Sequence, residues 1–212
     1  MDFKNKVIVV TGGANGIGRS LCEHFARAKA KVVVMDIEVD RAREVAFAVG
    51  GLGVGGDVSV ESDIKHAVLE TERVLGPIDI FVSNAGVAFE DGPGWMAASA
   101  SNKSWELSWG VNVMAHVYAA RELVPKMIRR GGGSLVNIAS GASFLCQIGD
   151  AADSAAETII QGVSDNKFLI LSHKELDTYT QRKYSDYDRW LKNMRGPRAE
   201  MVERNPNCDY QR

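Results

Sequence analysis

Gly12, Gly16 and Gly18, with Asn15 among them and a carboxylate at Asp36, have the types and spacing to hold a pyrophosphate and the sugar beside it. Residues 7–18 read Val-Ile-Val-Val-Thr-Gly-Gly-Ala-Asn-Gly-Ile-Gly, an apolar β-branched run that stops at a glycine-rich turn. Backbone without a Cβ turns tightly and lets a phosphate approach. The helix that follows presents free N–H groups and the positive end of its dipole to an anion. Glycine also serves ordinary strand-to-helix turns, so the turn alone does not specify a ligand. Asp36 narrows the choice. It closes a second apolar run over 31–36, 18 residues after Gly18, where a dinucleotide fold places the acid that holds the adenosine ribose hydroxyls. The plainer reading of the same carboxylate is a solvated strand end. A carboxylate there repels a 2′-phosphate, Asn15 is neutral and Ile37 follows directly, so the expected dinucleotide is NAD rather than NADP.

Composition bounds what surrounds these residues. The 212 residues are 45% hydrophobic and 25% charged, which suits one substantial core and a single domain over 1–212. A formal net charge of −2 gives no basic field for nucleic acid or an anionic membrane, and neither is an expected partner. Cys22, Cys146 and Cys208 follow no pattern, and His24, His66, His116 and His173 stand apart, so neither a disulfide framework nor a metal site is expected. That cysteine usage fits a reducing cytoplasm. No signal-peptide core opens the chain, and no 18 apolar residues run together.

Strand-like and helix-like segments alternate, which is the pattern of a parallel sheet with helices on both faces. Strands are expected over 7–11, 32–36, 52–57, 78–83 and 134–140, with a last one over 167–171. Helices are expected over 17–28, 41–49 and 64–75, the third capped by Ser59 or Ser62. The longest covers 103–130, with Trp105, Val111, Met114, Val117, Tyr118 and Leu123 as its apolar side. A loop rich in small residues over 87–102 is long enough to flank a substrate pocket.

Four motifs occur in order on successive strands: Thr11-Gly12-Gly13-Ala14-Asn15-Gly16-Ile17-Gly18, Asp57-Val58, Ser83-Asn84-Ala85-Gly86 and Asn137-Ile138-Ala139-Ser140. With them the chain resembles the classical short-chain dehydrogenases/reductases over residues 3–150. The resemblance implies an α/β fold with a doubly wound parallel sheet, the Rossmann fold. It also implies hydride transfer between NAD and a small-molecule secondary alcohol or ketone, and homo-oligomers among full-length relatives. By the same resemblance Gly12, Asn15, Gly16, Ile17, Gly18 and Asp36 bind the dinucleotide, Asp57 and Val58 contact adenine, and Asn84, Ala85 and Gly86 line the ribose. Asn112, in Gly110-Val111-Asn112-Val113, matches the asparagine that supports a proton-relay water. Ser140 matches the serine that hydrogen-bonds the reacting carbonyl or hydroxyl.

The resemblance breaks after Ser140. Asp153 and Glu157 stand 13 and 17 residues beyond it, where the family places a tyrosine and a lysine. A lysine's charge lowers a nearby phenol's pKa so that the phenol can exchange a proton; two carboxylates cannot copy that pair. Residues 151–212 read as a residual helix, strand and tail behind a nucleotide-binding core over 1–150, which favours an internal deletion near 151–153. Tyr179 and Lys183 have the family spacing but lie 39 and 43 residues after Ser140, on the expected tail. The expected function is an oxidoreductase impaired in this chain, the alternative a catalytically silent dinucleotide-binding or interaction subunit. Without the helix that carries the tyrosine and lysine, Val117, Leu123 and their neighbours should be exposed.

Overall fold

Parallel pairing of β-branched runs builds the centre of the molecule. The computed structural model describes residues 2–89, 100–139 and 159–167, with single positions at 170, 178, 181, 185, 186 and 189. One five-stranded parallel sheet runs in the order β3-β2-β1-β4-β5. Its strands are β1 (Val7–Thr11), β2 (Lys31–Asp36), β3 (Leu52–Gly55), β4 (Ile80–Ser83) and β5 (Ser134–Asn137). The crossovers carry α1 (Gly16–Arg27), α2 (Val39–Val49), α3 (Glu61–Leu75), α4 (Asn102–Trp109) and α5 (Ala115–Arg129). A π-helical turn, Gly110–Met114, joins α4 to α5.

Because successive strand side chains point to opposite faces, the strands β1, β2 and β4 feed two cores. Ile8, Val10, Val32, Val34, Ile80 and Val82 pack with Leu21 and Phe25 of α1 and Val45 of α2. Val7, Val9, Val33, Met35 and Phe81 pack on the other face with Ile64 and Val68 of α3 and Leu123 of α5. Burying one such side chain contributes about 1.5–3 kcal/mol, so a one-residue slip that exchanged the faces would sacrifice most of the core. This is the doubly wound parallel arrangement expected from the sequence. Residues 159–164 are helical, and Ile159 and Val163 join the α1 side.

Several expectations need correction. β3 stops at Gly55 rather than at residue 57: Gly56 donates the last ladder bond, to the Asp36 carbonyl at 3.0 Å, and the Asp57 N–H then turns to the Asp63 carboxylate at 3.0 Å. β4 begins at Ile80, and β5 ends at Asn137. Neither Ser59 nor Ser62 caps α3, whose N-cap is Val60; the Ser59 hydroxyl and N–H both turn back to Asp57, at 2.7 and 2.8 Å. The single long helix is three consecutive segments. Its sheet-facing stripe is Ala115, Ala119, Leu123 and Met127 at four-residue spacing. Leu123 is therefore fully buried, not exposed, whereas Val117, on the opposite side, is 39% exposed and Trp105 59% exposed. Of the expected strand 167–171, Lys167 and Ile170 are described and neither is in a strand. Ser140, Asp153, Glu157, Tyr179, Lys183, Cys146, Cys208 and His173 lie outside the described residues, as does 90–99 of the expected loop. Among the described residues no helix is long and apolar enough to cross a membrane.

Candidate functional site

Strand order reverses between β1 and β4, since β1 is followed by β2 on one side while β4 enters on the other. Loops leaving the carboxyl ends of those two strands diverge and open a crevice. The glycine turn follows β1 into it. Gly12 and Gly16 adopt φ of +63° and +50°, a region costly for a side chain. A Cβ on Gly18 would lie 2.1 Å from the Gly12 carbonyl oxygen, whereas one on Gly16 would meet nothing within 4 Å. The turn is thus closed towards β4 and open above Gly16. No acidic side chain stands in the first turn of α1, and Asn15 at the N-cap contributes no capping hydrogen bond. The first-turn amides of Gly16, Ile17 and Gly18 therefore offer an anion a positive helix end that no acidic side chain of the turn itself occupies. An open glycine face above a helix start with no side-chain cap and no acid in its own first turn fits a dinucleotide pyrophosphate.

Thr11 fixes the far wall. Its buried hydroxyl accepts from the N–H groups of Asn84 at 3.0 Å and Ala85 at 3.1 Å. The Asn84 amide donates in return to the carbonyls of Thr11 at 2.9 Å and Gly12 at 3.3 Å. Together these bonds tie the turn after β1 to the turn after β4. Thr11→Val keeps the shape but strands two backbone donors, so it is expected to lower stability by about 2 kcal/mol in urea unfolding. A midpoint equal to wild type would show that the staple contributes nothing.

Asp36 ends β2 beside the same turn. One carboxylate oxygen accepts from the Ala14 N–H at 3.0 Å and the other from the Glu38 N–H at 3.1 Å, so the group is held against the glycine turn. Asp57 follows β3, and one of its oxygens is engaged by Ser59; the neighbouring Val58 side chain is buried in the core. Any contact from Val58 to a ligand must therefore come from backbone. Asn112 lies in the π turn, where the altered pitch turns its side chain to the loop after β4. Its carbonyl accepts from the Val87 N–H at 2.9 Å, and its amide donates to the Val87 carbonyl at 2.8 Å. Beneath the turn, burial pushes the Cys22 thiol up to about 12, which leaves it a neutral packing group against Gly13.

The glycine turn, Asp36, Asn84 to Gly86 and Asn112 thus gather at the carboxyl edge of the sheet, with Asp57 and Val58 after the edge strand β3. Sequence reasoning missed two contributors. The signal for Thr11 is its strand-end position directly before the glycines. Glu38 carried no signal until its carboxylate was seen 3.2 Å from the Asn15 amide. Among the described residues no group of three or more His, Cys, Asp or Glu side chains could hold a metal ion.

Comparison with known proteins shows the family. The family model for short chain dehydrogenases matches residues 6–167. An uncharacterised oxidoreductase of Thermotoga maritima is 30% identical over 150 residues, 68% of this chain and 57% of that protein. The NAD-dependent glycerol dehydrogenase of Listeria innocua is 33% identical over 147 residues, 68% of this chain and 56% of that protein. L-sorbose reductase from Gluconobacter frateurii, solved with NADPH and L-sorbose, is 30% identical with a TM-score of 0.63, covering 79% of this chain and 68% of that one. The chain spans a little over half the length of the two curated relatives. With the doubly wound sheet, the glycine turn and the match over most of its length, the chain belongs to the short-chain dehydrogenase/reductase family.

Proposed function

We propose that this chain is an NAD-linked oxidoreductase for a small secondary alcohol or ketone, with slowed chemistry. The observation that carries the cofactor reading is the Asp36 carboxylate, fixed by the Ala14 and Glu38 amides beside the open helix start. It accepts hydrogen bonds from ribose hydroxyls and disfavours a 2′-phosphate. The first-turn amides of α1 take the pyrophosphate, Asp57 and the backbone at Val58 receive the adenine, and Asn84, Ala85 and Gly86 border the second ribose. When bound, the nicotinamide supplies the hydride acceptor or donor. Asn112 holds the Val87 backbone that borders the reacting end, and it supports a relay water with the amide hydrogen and lone pair its two bonds leave over. Ser140 hydrogen-bonds the substrate oxygen.

Asp153 and Glu157 cannot supply the proton exchange of a tyrosine beside a lysine. General acid–base catalysis contributes about 10²–10⁴-fold, and that is the expected deficit against a relative possessing the pair. The test is NAD reduction followed by absorbance across a panel of secondary alcohols. Slow turnover is expected that falls further in Ser140→Ala and is unchanged in Tyr179→Phe. Turnover at the rate of such a relative, or turnover indifferent to Ser140→Ala, would sink this reading.

A further inference from the structure

We infer that Ser59 is a positioning residue: through its contact with Gly110, an adenine held at Asp57 and Val58 steadies Asn112 and the Val87 backbone at the reacting end of the crevice. A Cβ on Gly110 would stand 3.0 Å from the Ser59 Cβ, closer than ordinary van der Waals contact, so the loop after β3 lies directly against the π turn. Val58 and Val111 are buried in the same core cluster, which anchors that loop and the turn together. Asn112 then makes its paired hydrogen bonds to Val87, at 2.9 and 2.8 Å. Two positions apart in a helical turn, Gly110 and Asn112 face nearly opposite ways. The π turn is therefore wedged between the loop after β3 and the loop after β4.

This inference rests on the assignment of Asp57 and Val58 to the adenine. Those two residues directly precede Ser59, whose N–H and hydroxyl both donate to one Asp57 oxygen, at 2.8 and 2.7 Å. An adenine amino group on the other oxygen, with the ring against the Val58 backbone, fixes the segment to which Ser59 is tied. A ligand that rigidifies one wall of a packed turn leaves the opposite wall less entropy to lose, which couples two sites without a change of shape. A π turn is suited to that role, since its wider hydrogen-bonded ring holds one residue more than an α-helical turn and its side contacts set where it sits.

The Val87 amide reports the coupling, because it donates to Asn112 on the side of the turn away from Ser59. Adenosine is the probe: it carries the adenine but no phosphate for the glycine turn and no nicotinamide to touch Val87. In hydrogen exchange of the full chain followed by NMR, saturating adenosine is expected to slow the Val87 amide about five-fold, the low end of ordinary coupling between sites. Ser59→Gly removes the carbon that meets Gly110 and should lose the slowing, whereas Ser59→Ala keeps that carbon and should retain it. Both variants are compared at adenosine saturation, so a change of affinity does not enter. Val87 exchange unmoved by bound adenosine, slowing that persists in Ser59→Gly, or slowing lost in Ser59→Ala would each overturn the inference. Wild-type chain with no saturable adenosine binding would overturn the assignment of Asp57 and Val58 to adenine, and this inference with it.

Discussion

Gly18→Ala is expected to abolish dinucleotide binding and to lower stability by about 3 kcal/mol, the upper end of what overpacking costs. The added methyl would stand 2.1 Å from the Gly12 carbonyl oxygen and 2.5 Å from the Asn84 amide nitrogen. The Gly12 oxygen is backbone, and the Asn84 amide is already bonded to the Thr11 and Gly12 carbonyls, so neither can retreat cheaply. Relief must come from α1 lifting off β1, which spoils both the anion-binding amides and the packing of Leu21 and Phe25. Gly16→Ala is the informative contrast. Its methyl meets nothing within 4 Å, so the cost is the strain of φ +50°, about 1–2 kcal/mol, and the chain should still fold. That methyl projects over the open face of the turn, so NADH affinity should fall although the fold survives. Urea unfolding and NADH titration of the two variants separate the effects. Equal stability losses in both would show that the close approach at Gly18 is not what shapes the turn.

Asp36→Ala is expected to weaken NADH by about 10- to 100-fold, the worth of charge-assisted hydrogen bonds to the ribose. Two further consequences follow from the partners of the carboxylate. The N–H groups of Ala14 and Glu38 lose their acceptor, so the turn loosens as well as losing its ligand contact. NADPH, released from repulsion by the same charge, should weaken far less, so the preference between the two nucleotides should nearly vanish. Isothermal titration of both ligands against wild type and variant measures this directly. An unchanged preference would mean that Asp36 is a solvated strand end after all.

Much of the candidate site is legible in the sequence, because one-dimensional spacing encodes it. The glycines at 12, 16 and 18 are demanded by local backbone geometry, and Asp36 by the end of a strand whose apolar run is unmistakable. Two-faced burial of the strands likewise follows from runs such as Val7 to Thr11, where every residue is apolar or β-branched. What escaped notice depends on three-dimensional neighbours. Asp57 reads as a strand residue because the run before it is apolar, yet its N–H donates to the Asp63 carboxylate instead of to β2, and the chain leaves the sheet there. Val117 and Leu123 looked alike on an apolar helix, and only the direction of α5 over the sheet sends one to solvent and the other to the core. The π turn around Asn112 has no composition cue of its own. Glu38 joins the site through a side-chain bond to a residue 23 positions away, which periodicity cannot reveal.

The central claim is that the carboxyl edge of this sheet binds NAD. Its most direct test is a fluorescence titration of the purified 212-residue chain with NADH, repeated with NADPH. The expected result is saturable binding of NADH, with NADPH weaker. Saturation by NADPH at lower concentration than NADH, or no saturable binding of either by a folded chain, would contradict the account.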